Sequence, residues 1–163
     1  MADITINTKL FGTIEFDSED GLWEYYTIEL DGKEVNTRLD IEAEQSDEDI
    51  VYIRNFLENI PQMIQKAKSV FIEKYPSDET IRMFVDWQME EIDEDCLLSC
   101  FDVDTLAEVT PKQFLEELKL RGISIDGNTE CIIDLCLDGN ITDELLVVHF
   151  NQNMEILDIA HES

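Results

Sequence analysis

The hydrophobic period changes twice along this chain, and the change restricts the folds that it can adopt. Residues 1–45 contain short segments in which apolar and polar side chains alternate, as they do in a strand with one buried face. Residues 46–121 repeat apolar side chains every three or four positions, which is the period of a helix, and residues 122–163 alternate again. Strands that follow each other closely pair as antiparallel hairpins. We therefore predict an α+β fold, with antiparallel meanders at the N- and C-terminal ends packed on a central group of three to four helices.

The length of the chain is typical of one compact domain. Its 163 residues include 44% apolar and 9% aromatic side chains, which is enough to bury a core despite the high content of charge. We expect a single domain over residues 1–163, with the N-terminal strands in 1–45, the helices in 46–121 and the C-terminal meander in 122–163.

The segment "LWEYYTIEL" at residues 22–30 is the clearest strand of the first part. Its alternation places Trp23 and Tyr25 on the less apolar face. Asp31-Gly32 follows, and both residue types tolerate the positive φ of a two-residue turn, so we predict a hairpin with the next strand. The apolar face, which Glu24 interrupts, carries Leu22, Tyr26, Ile28 and Leu30.

The first helical segment has a recognisable start and an internal break. Ser46 and Asp49 have the spacing of an N-cap pair, and apolar side chains recur from Ile50 to Phe71. Pro61 lies inside this segment and lacks the backbone donor of an unbroken helix. We therefore predict an amphipathic helix that is bent or divided at this proline.

Two further helices are predicted from their boundary residues. Ser77 can cap a helix through "DETIRMFVDWQMEEI". Thr110-Pro111 provides an N-cap followed by proline at the first helical position, and Arg121-Gly122 is expected to end that helix with a C-terminal glycine.

The charge of the chain limits its partners. Thirty-nine acidic residues against eleven basic ones give a formal charge of −28. Nucleic acids and anionic membranes bind through Lys and Arg patches, so we expect neither as a partner, and we expect a basic protein instead. The alternative is that the acidity only keeps the protein soluble. Because there is no secretory signal and no apolar run of membrane length, we expect a cytoplasmic protein with reduced cysteines.

The C-terminal third follows a pattern known from other proteins. The segments "LEELKLRGISID", "ECIIDLCLDG" and "ITDELLVVHFNQNMEILDIAHE" resemble a bacterial domain-of-unknown-function family of small acidic α+β proteins, which commonly end in a strand of the type "hLxVxFdxxGxIxxixhE". The segment "SDEDIVYIRNFLENIPQMI" is similar to the middle of that group. Met154 stands where the turn usually carries Gly, so the left-handed geometry costs about 1 kcal/mol there or the turn type differs. Such families include proposed immunity proteins of bacterial toxin systems, and the resemblance supplies no catalytic residues.

The stretch "EEIDEDCLLSCFDVD" at residues 90–104 contains weak candidates for metal binding. Cys96 and Cys100 share a helix face if this segment is helical, and Asp93 and Asp95 precede them. Zinc needs further N or S ligands, and the acidic residues lack the spacing of a calcium loop. We therefore expect structural cysteines, no bound cofactor and no metal site.

The chain shows no nucleophile motif, phosphate loop or metalloprotease motif, so catalysis is a poor expectation. Exposed aromatic side chains within an acidic surface suit a protein contact, because interface cores favour Trp and Tyr while the charge steers the partner. We predict an acidic binding protein, an immunity protein by this interpretation, that masks a basic partner as a monomer or homodimer. A carboxylate-based metal module or enzyme, and a self-associating structural protein, are the alternatives. The predicted partner-binding residues are Trp23, Tyr25, Asp86, Glu90, Asp93, Glu94 and Asp95.

Overall fold

The fold is α+β, as predicted, with a larger share of strands than expected. A computed structural model describes residues 2–30, 32–126, 130–138 and 140–163. Within these ranges the chain forms eight strands, five α-helices and one short 3₁₀ helix. In chain order they are β1 Ile4–Thr8, β2 Gly12–Phe16, β3 Leu22–Leu30, β4 Lys33–Ile41, α1 Asp47–Glu58, α2 Ile60–Lys74, α3 Glu79–Glu91, α4 Glu94–Leu98, the 3₁₀ helix Leu106–Glu108, α5 Pro111–Glu116, β5 Lys119–Asp126, β6 Glu130–Cys136, β7 Leu145–Phe150 and β8 Ile156–Glu162.

Strands β3 and β4 of the predicted N-terminal meander join the predicted C-terminal meander in one six-stranded sheet with the order β3-β4-β5-β6-β7-β8. The neighbours pair antiparallel except for β4 and β5, which run parallel with Arg38 opposite Ser124 and Leu39 opposite Ile125. A parallel pair needs a crossover connection, and all the helices lie in the connection between these two strands. Strands β1 and β2 form a separate two-stranded sheet. The parallel pairing of β4 with β5 was not predicted from the sequence.

The helices pack on one face of this sheet, which we call the inner face. Alternate residues of the strands point to it and are buried, as period two requires. Phe84 of α3 packs edge-on against Phe114 of α5 and against His161 of β8. The inner face also explains the predicted alternation of β3, in which Ile28 is buried while Trp23 and Tyr25 are exposed. The largest fully buried side chains include Phe56, Phe71, Phe84, Phe114 and Phe150.

Several boundaries follow the sequence, and one N-cap does not. Ser46 and Asp49 form a reciprocal capping box at the start of α1, as predicted. Helices α1 and α2 are divided at Asn59, two residues before Pro61, which confirms the predicted break. The prediction of Ser77 as the cap of α3 is wrong, because Asp78 occupies the N-cap and accepts a hydrogen bond from the Ile81 backbone N–H at 3.1 Å.

The predicted glycine end of the last helix is also wrong. Helix α5 begins after the Thr110 cap as expected but already ends at Glu116, and Arg121 and Gly122 lie inside β5. A bulge between Leu120 and Gly122 shifts the register against β6. The extra residue at a bulge interrupts the period of two. The local pattern therefore did not indicate that the strand begins before Gly122.

The turns agree with the sequence where the structure describes them. Leu30 pairs with Lys33, so two residues join β3 and β4, and Gly32 has φ of 78°. Asp31 itself lies outside the described residues. Met154 has φ of 60°, which shows that the turn keeps its left-handed residue without glycine.

Gly21 provides a stability test with a matched control. Its φ is 71°, and a Cβ there would lie 2.3 Å from the Ile41 carbonyl oxygen. Gly12 has φ of 70° and open space around a Cβ. We expect Gly12→Ala to lower the free energy of unfolding by about 1 kcal/mol for conformation alone, and Gly21→Ala to lower it by at least about 2 kcal/mol more because the backbone must move. Urea unfolding of both variants measures the difference, and equal losses would contradict the predicted steric clash.

Candidate interaction surfaces

The exposed side of α3 forms a groove in which apolar side chains are flanked by carboxylates. Met83 is 55% exposed and Trp87 46% exposed, although both are large apolar residues. Glu79, Asp86 and Glu90 line the same groove of about 490 Å³. We call these five residues, with Arg82 and Ser77, the α3 groove. The arrangement combines apolar contact area with negative charge at one place.

The α3 groove is held by contacts on both sides of the helix. The Asp78 cap fixes the helix start, and Phe84 fixes the buried side against His161, with ring centroids 5.4 Å apart. The hydroxyl of Tyr75 donates a hydrogen bond to Asp86 Oδ1 at 2.6 Å. This bond raises the pKa of Tyr75 above its usual value, with burial and the Asp86 charge acting in the same direction. The carboxylate of Asp86 is therefore positioned at the rim of the groove.

The predicted acidic residues beyond α3 belong to a different helix. Asp93 caps the short helix α4, and its Oδ1 accepts from the backbone N–H of Asp95 at 3.0 Å and of Cys96 at 3.4 Å. Glu94 and Asp95 occupy the exposed first turn of α4, where negative charge is favourable. The structure thus gives Asp93 a structural role and leaves Glu94 and Asp95 exposed next to the end of α3.

The cysteines are free thiols. Cys96 is exposed, while Cys100 is half-buried and its Sγ lies 3.8 Å from the Cys96 carbonyl oxygen. Burial raises the pKa of Cys100, and burial raises the pKa of Cys131 to about 12. Within the described ranges, no three side chains of His, Cys, Asp or Glu are grouped so that they could hold a metal ion.

The face of the sheet opposite the helices, which we call the outer face, carries an exposed aromatic pair. Trp23 and Tyr25 are 58% and 61% exposed, and their rings meet edge-to-face with centroids 5.0 Å apart. Tyr25 lies directly opposite Arg38 on β4. The predicted exposure of both aromatic residues is therefore observed.

The outer face also contains a polar depression that the sequence analysis did not identify. Its volume is about 470 Å³, and its lining includes Tyr25, Asn36, Arg38, Arg121, Gly122 and Asp134. Asp134 is half-buried, and burial is the largest cause that raises its pKa above the ordinary value of 3.8. The Glu162 charge acts in the same direction, while His149, Arg38 and Arg121 oppose it. We call Arg38, Arg121 and Asp134 the seam cluster, because they lie at and beside the parallel pairing of β4 and β5.

Each histidine of the chain is paired with a carboxylate. His149 Nδ1 contacts Glu130 Oε1 across β6 and β7, and His161 Nε2 lies 2.5 Å from Glu144 Oε2. His149 lies on the outer face and His161 on the inner face. Neither pair is next to an exposed Ser or Cys in the described contacts.

The structure divides the predicted partner-binding residues between two surfaces. Asp86 and Glu90 line the α3 groove, and α3 packs over β7 and β8. Trp23 and Tyr25 lie on β3, at the other edge of the sheet and on its other face. Five strand spacings separate the two edges, about 24 Å in total. One small contact patch therefore does not include both groups, and the groove residues Met83 and Trp87 complete the acidic side.

Comparisons with known proteins leave these surfaces without a precedent. The sequence matches no protein-family model, and neither a curated protein nor a solved structure matches it. Among the described helices, none combines the length and the apolar composition that a membrane span requires.

The thiols should differ in their reactivity. We expect a thiol reagent at about pH 8 to modify Cys96 rapidly in the folded protein and the buried Cys131 only after unfolding, because the thiolate is the reactive form. Stopped-flow absorbance measures the phases, and Cys96→Ser should remove the fast one. A fast phase that persists in this variant would contradict the assignment.

Asp134 should make stability depend on pH. Its pKa is raised in the folded state, so its favourable contribution is complete below the unfolded value of 3.8 and is lost as the pH rises through the folded value. We expect Asp134→Asn to gain stability relative to the wild type as the pH rises from 3.8 through the range in which the wild-type carboxyl group loses its proton. Urea unfolding across this range measures the gain. The exposed outer-face residue Glu34, changed to Gln, is the control and should show no comparable trend.

Proposed function

We propose that this protein is a non-enzymatic binding protein that uses the α3 groove to mask a basic protein partner. The observation that carries the proposal is the pair of exposed apolar side chains, Met83 and Trp87, flanked by Glu79, Asp86 and Glu90. Trp is among the residues that dominate the binding energy of protein interfaces, and it does so when it is surrounded by contacts that exclude water. The groove supplies such an anchor with acidic residues at its rim.

The charge of the chain supports the basic character of the partner. A net charge of −28 creates a negative potential around the molecule, which accelerates the encounter with a cationic protein and repels anionic ones. A second copy of this chain has the same charge, so the same potential opposes self-association through the groove. The exposed carboxylates Glu94 and Asp95 on α4 extend the acidic surface beyond Glu90.

The biological role that we propose is that of an immunity protein for a cationic bacterial toxin, acting in the cytoplasm. Inhibition would proceed by occlusion, in which the partner loses access to its own anionic substrate while the groove covers its basic surface. The acidic groove supports this role. The resemblance of the sequence segments to a domain-of-unknown-function family of small acidic α+β proteins supports it too, because such families include proposed immunity proteins. The groove residues need no catalytic chemistry for it.

The residue-level test combines one aromatic and one charge substitution. We expect Trp87→Ala to weaken binding of the basic partner by about 30-fold or more, because it removes the apolar anchor. Glu90→Lys should mainly slow association, and the effect should shrink as salt screens the charges. The partner is first captured from the source lysate at low salt and identified, and surface plasmon resonance then measures the rate constants with the purified protein.

Matched variants on the outer face distinguish an effect of the groove on binding from an effect of the overall charge. Glu34→Lys makes the same charge change on β4, and Trp23→Ala removes an exposed aromatic residue on β3. We expect both to bind nearly as the wild type does. If these variants weaken binding as much as the groove variants, or if binding is insensitive to salt and to Glu90→Lys, the proposal is wrong.

A further inference from the structure

The seam cluster brings two cations together in a protein that contains few of them. Arg38 lies on β4 and Arg121 at the bulge of β5, and both line the outer-face depression. Within the described residues, neither guanidinium forms a salt bridge, although acidic residues outnumber basic ones by 39 to 11. Two unpaired arginines in such a chain are unexpected for a surface that only provides solubility. Their N–H donors are not committed to another of the described residues, so they are available to a ligand.

The backbone leaves open space next to these arginines. The bulge of β5 directs Arg121 to the outer face, and the residue that follows is Gly122. A Cβ at Gly122 would lie 3.4 Å from Asp134 Oδ2 and 3.7 Å from the Asn36 carbonyl oxygen, so a larger side chain there would fill the depression. Gly122 does not have a positive φ, which means that backbone conformation does not require glycine at this position. The missing side chain opens the site between Arg38, Arg121 and Asp134.

The three charged groups define the chemistry of the ligand. Guanidinium groups bind phosphate oxygens through paired N–H donors. A carboxylate beside them repels a fully ionised anion but accepts a hydrogen bond from an anion that still carries a proton. We propose that the seam cluster binds a phosphate group in its protonated form, with Arg38 and Arg121 holding the anionic oxygens and Asp134 accepting from the P–OH. This site lies on the other face of the sheet from the α3 groove and does not depend on the proposed function.

The selectivity between two inorganic anions is the sharpest test of this site. Near pH 6 inorganic phosphate is mostly the monoanion H₂PO₄⁻, which carries P–OH groups, whereas sulfate has none and carries more charge. Attraction by the two arginines alone would favour sulfate, and the hydrogen bond to Asp134 favours phosphate. Amide chemical shifts of Gly122 and Ser124, followed by NMR during titration with each anion, should give a dissociation constant about tenfold lower for phosphate. Asp134→Asn should abolish this preference.

Further variants test the position of the site. Arg38→Gln and Arg121→Gln should each weaken phosphate binding about tenfold or more, and Gly122→Val should block it without changing any charge. Arg54→Gln, which removes an exposed arginine from α1, is the matched control and should leave binding unchanged. The amide spectrum of each variant shows whether it is folded. Absence of a saturable shift in the wild type, equal affinity for sulfate, or equal weakening by Arg54→Gln would each overturn the proposal.

A phosphomonoester separates the two sources of the group. Phenyl phosphate carries a ring that can pack on Tyr25, which lines the same depression. Tighter binding of phenyl phosphate than of inorganic phosphate, reduced by Tyr25→Ala, would support a monoester as the ligand. Tighter binding of inorganic phosphate would support the free anion.

Discussion

The parallel pairing of β4 with β5 is the contact on which the rest of this structure depends. It joins the N-terminal hairpin to the C-terminal meander, so that strands from both ends of the chain share one sheet. Leu39 and Ile125 meet in this pairing and are both fully buried. Because parallel strands need a crossover, all the helices are confined to the connection, and they cover the inner face. Without this pairing, the buried sides of the two parts would have no common core.

The same arrangement separates two kinds of surface chemistry. Helix α3 lies over the far edge of the sheet and presents carboxylates around Trp87. The outer face receives the alternate residues of the central strands, including Arg38 and Arg121, which form no salt bridge with another described residue. A sheet that is covered on one side therefore gives this acidic protein one negative contact surface and one small basic depression. The proposed basic partner and the proposed phosphate group would therefore bind without competing for the same residues.

Local sequence patterns were sufficient to predict much of the fold. The capping box at Ser46, the break near Pro61 and the alternation along β3 each depend on neighbouring residues only, and each is observed. The pairing of β4 with β5 depends on residues far apart in the chain, so no local period indicates it. The bulge at Arg121 shifts the alternation by one residue, which made the start of β5 look like the end of a helix.

The candidate surfaces were less accessible to sequence reasoning. The exposure of Trp23 and Tyr25 followed from the strand period, and the structure agrees. Whether the acidic residues lie near these aromatic residues depends on tertiary contacts, which local patterns do not indicate. The predicted partner-binding residues therefore divide between two surfaces in the structure. Of the seam cluster, only Arg121 was noted in the sequence, where Arg121-Gly122 was taken as the end of a helix. Arg38 and Asp134 come from two other strands.

The crossover also has a consequence for synthesis on the ribosome. Strand β4 emerges with its partner β3, but the edge that later receives β5 stays unpaired while the whole helical segment is translated. Exposed strand edges recruit other chains, and nascent proteins are vulnerable to this because their long-range contacts form last. Arg38 and Asp40, which flank buried Leu39, place charge on the unpaired edge of β4. The acidity of the nascent chain also repels neighbouring copies. We therefore expect the negative charge of this protein to oppose such contacts before the chain has finished folding.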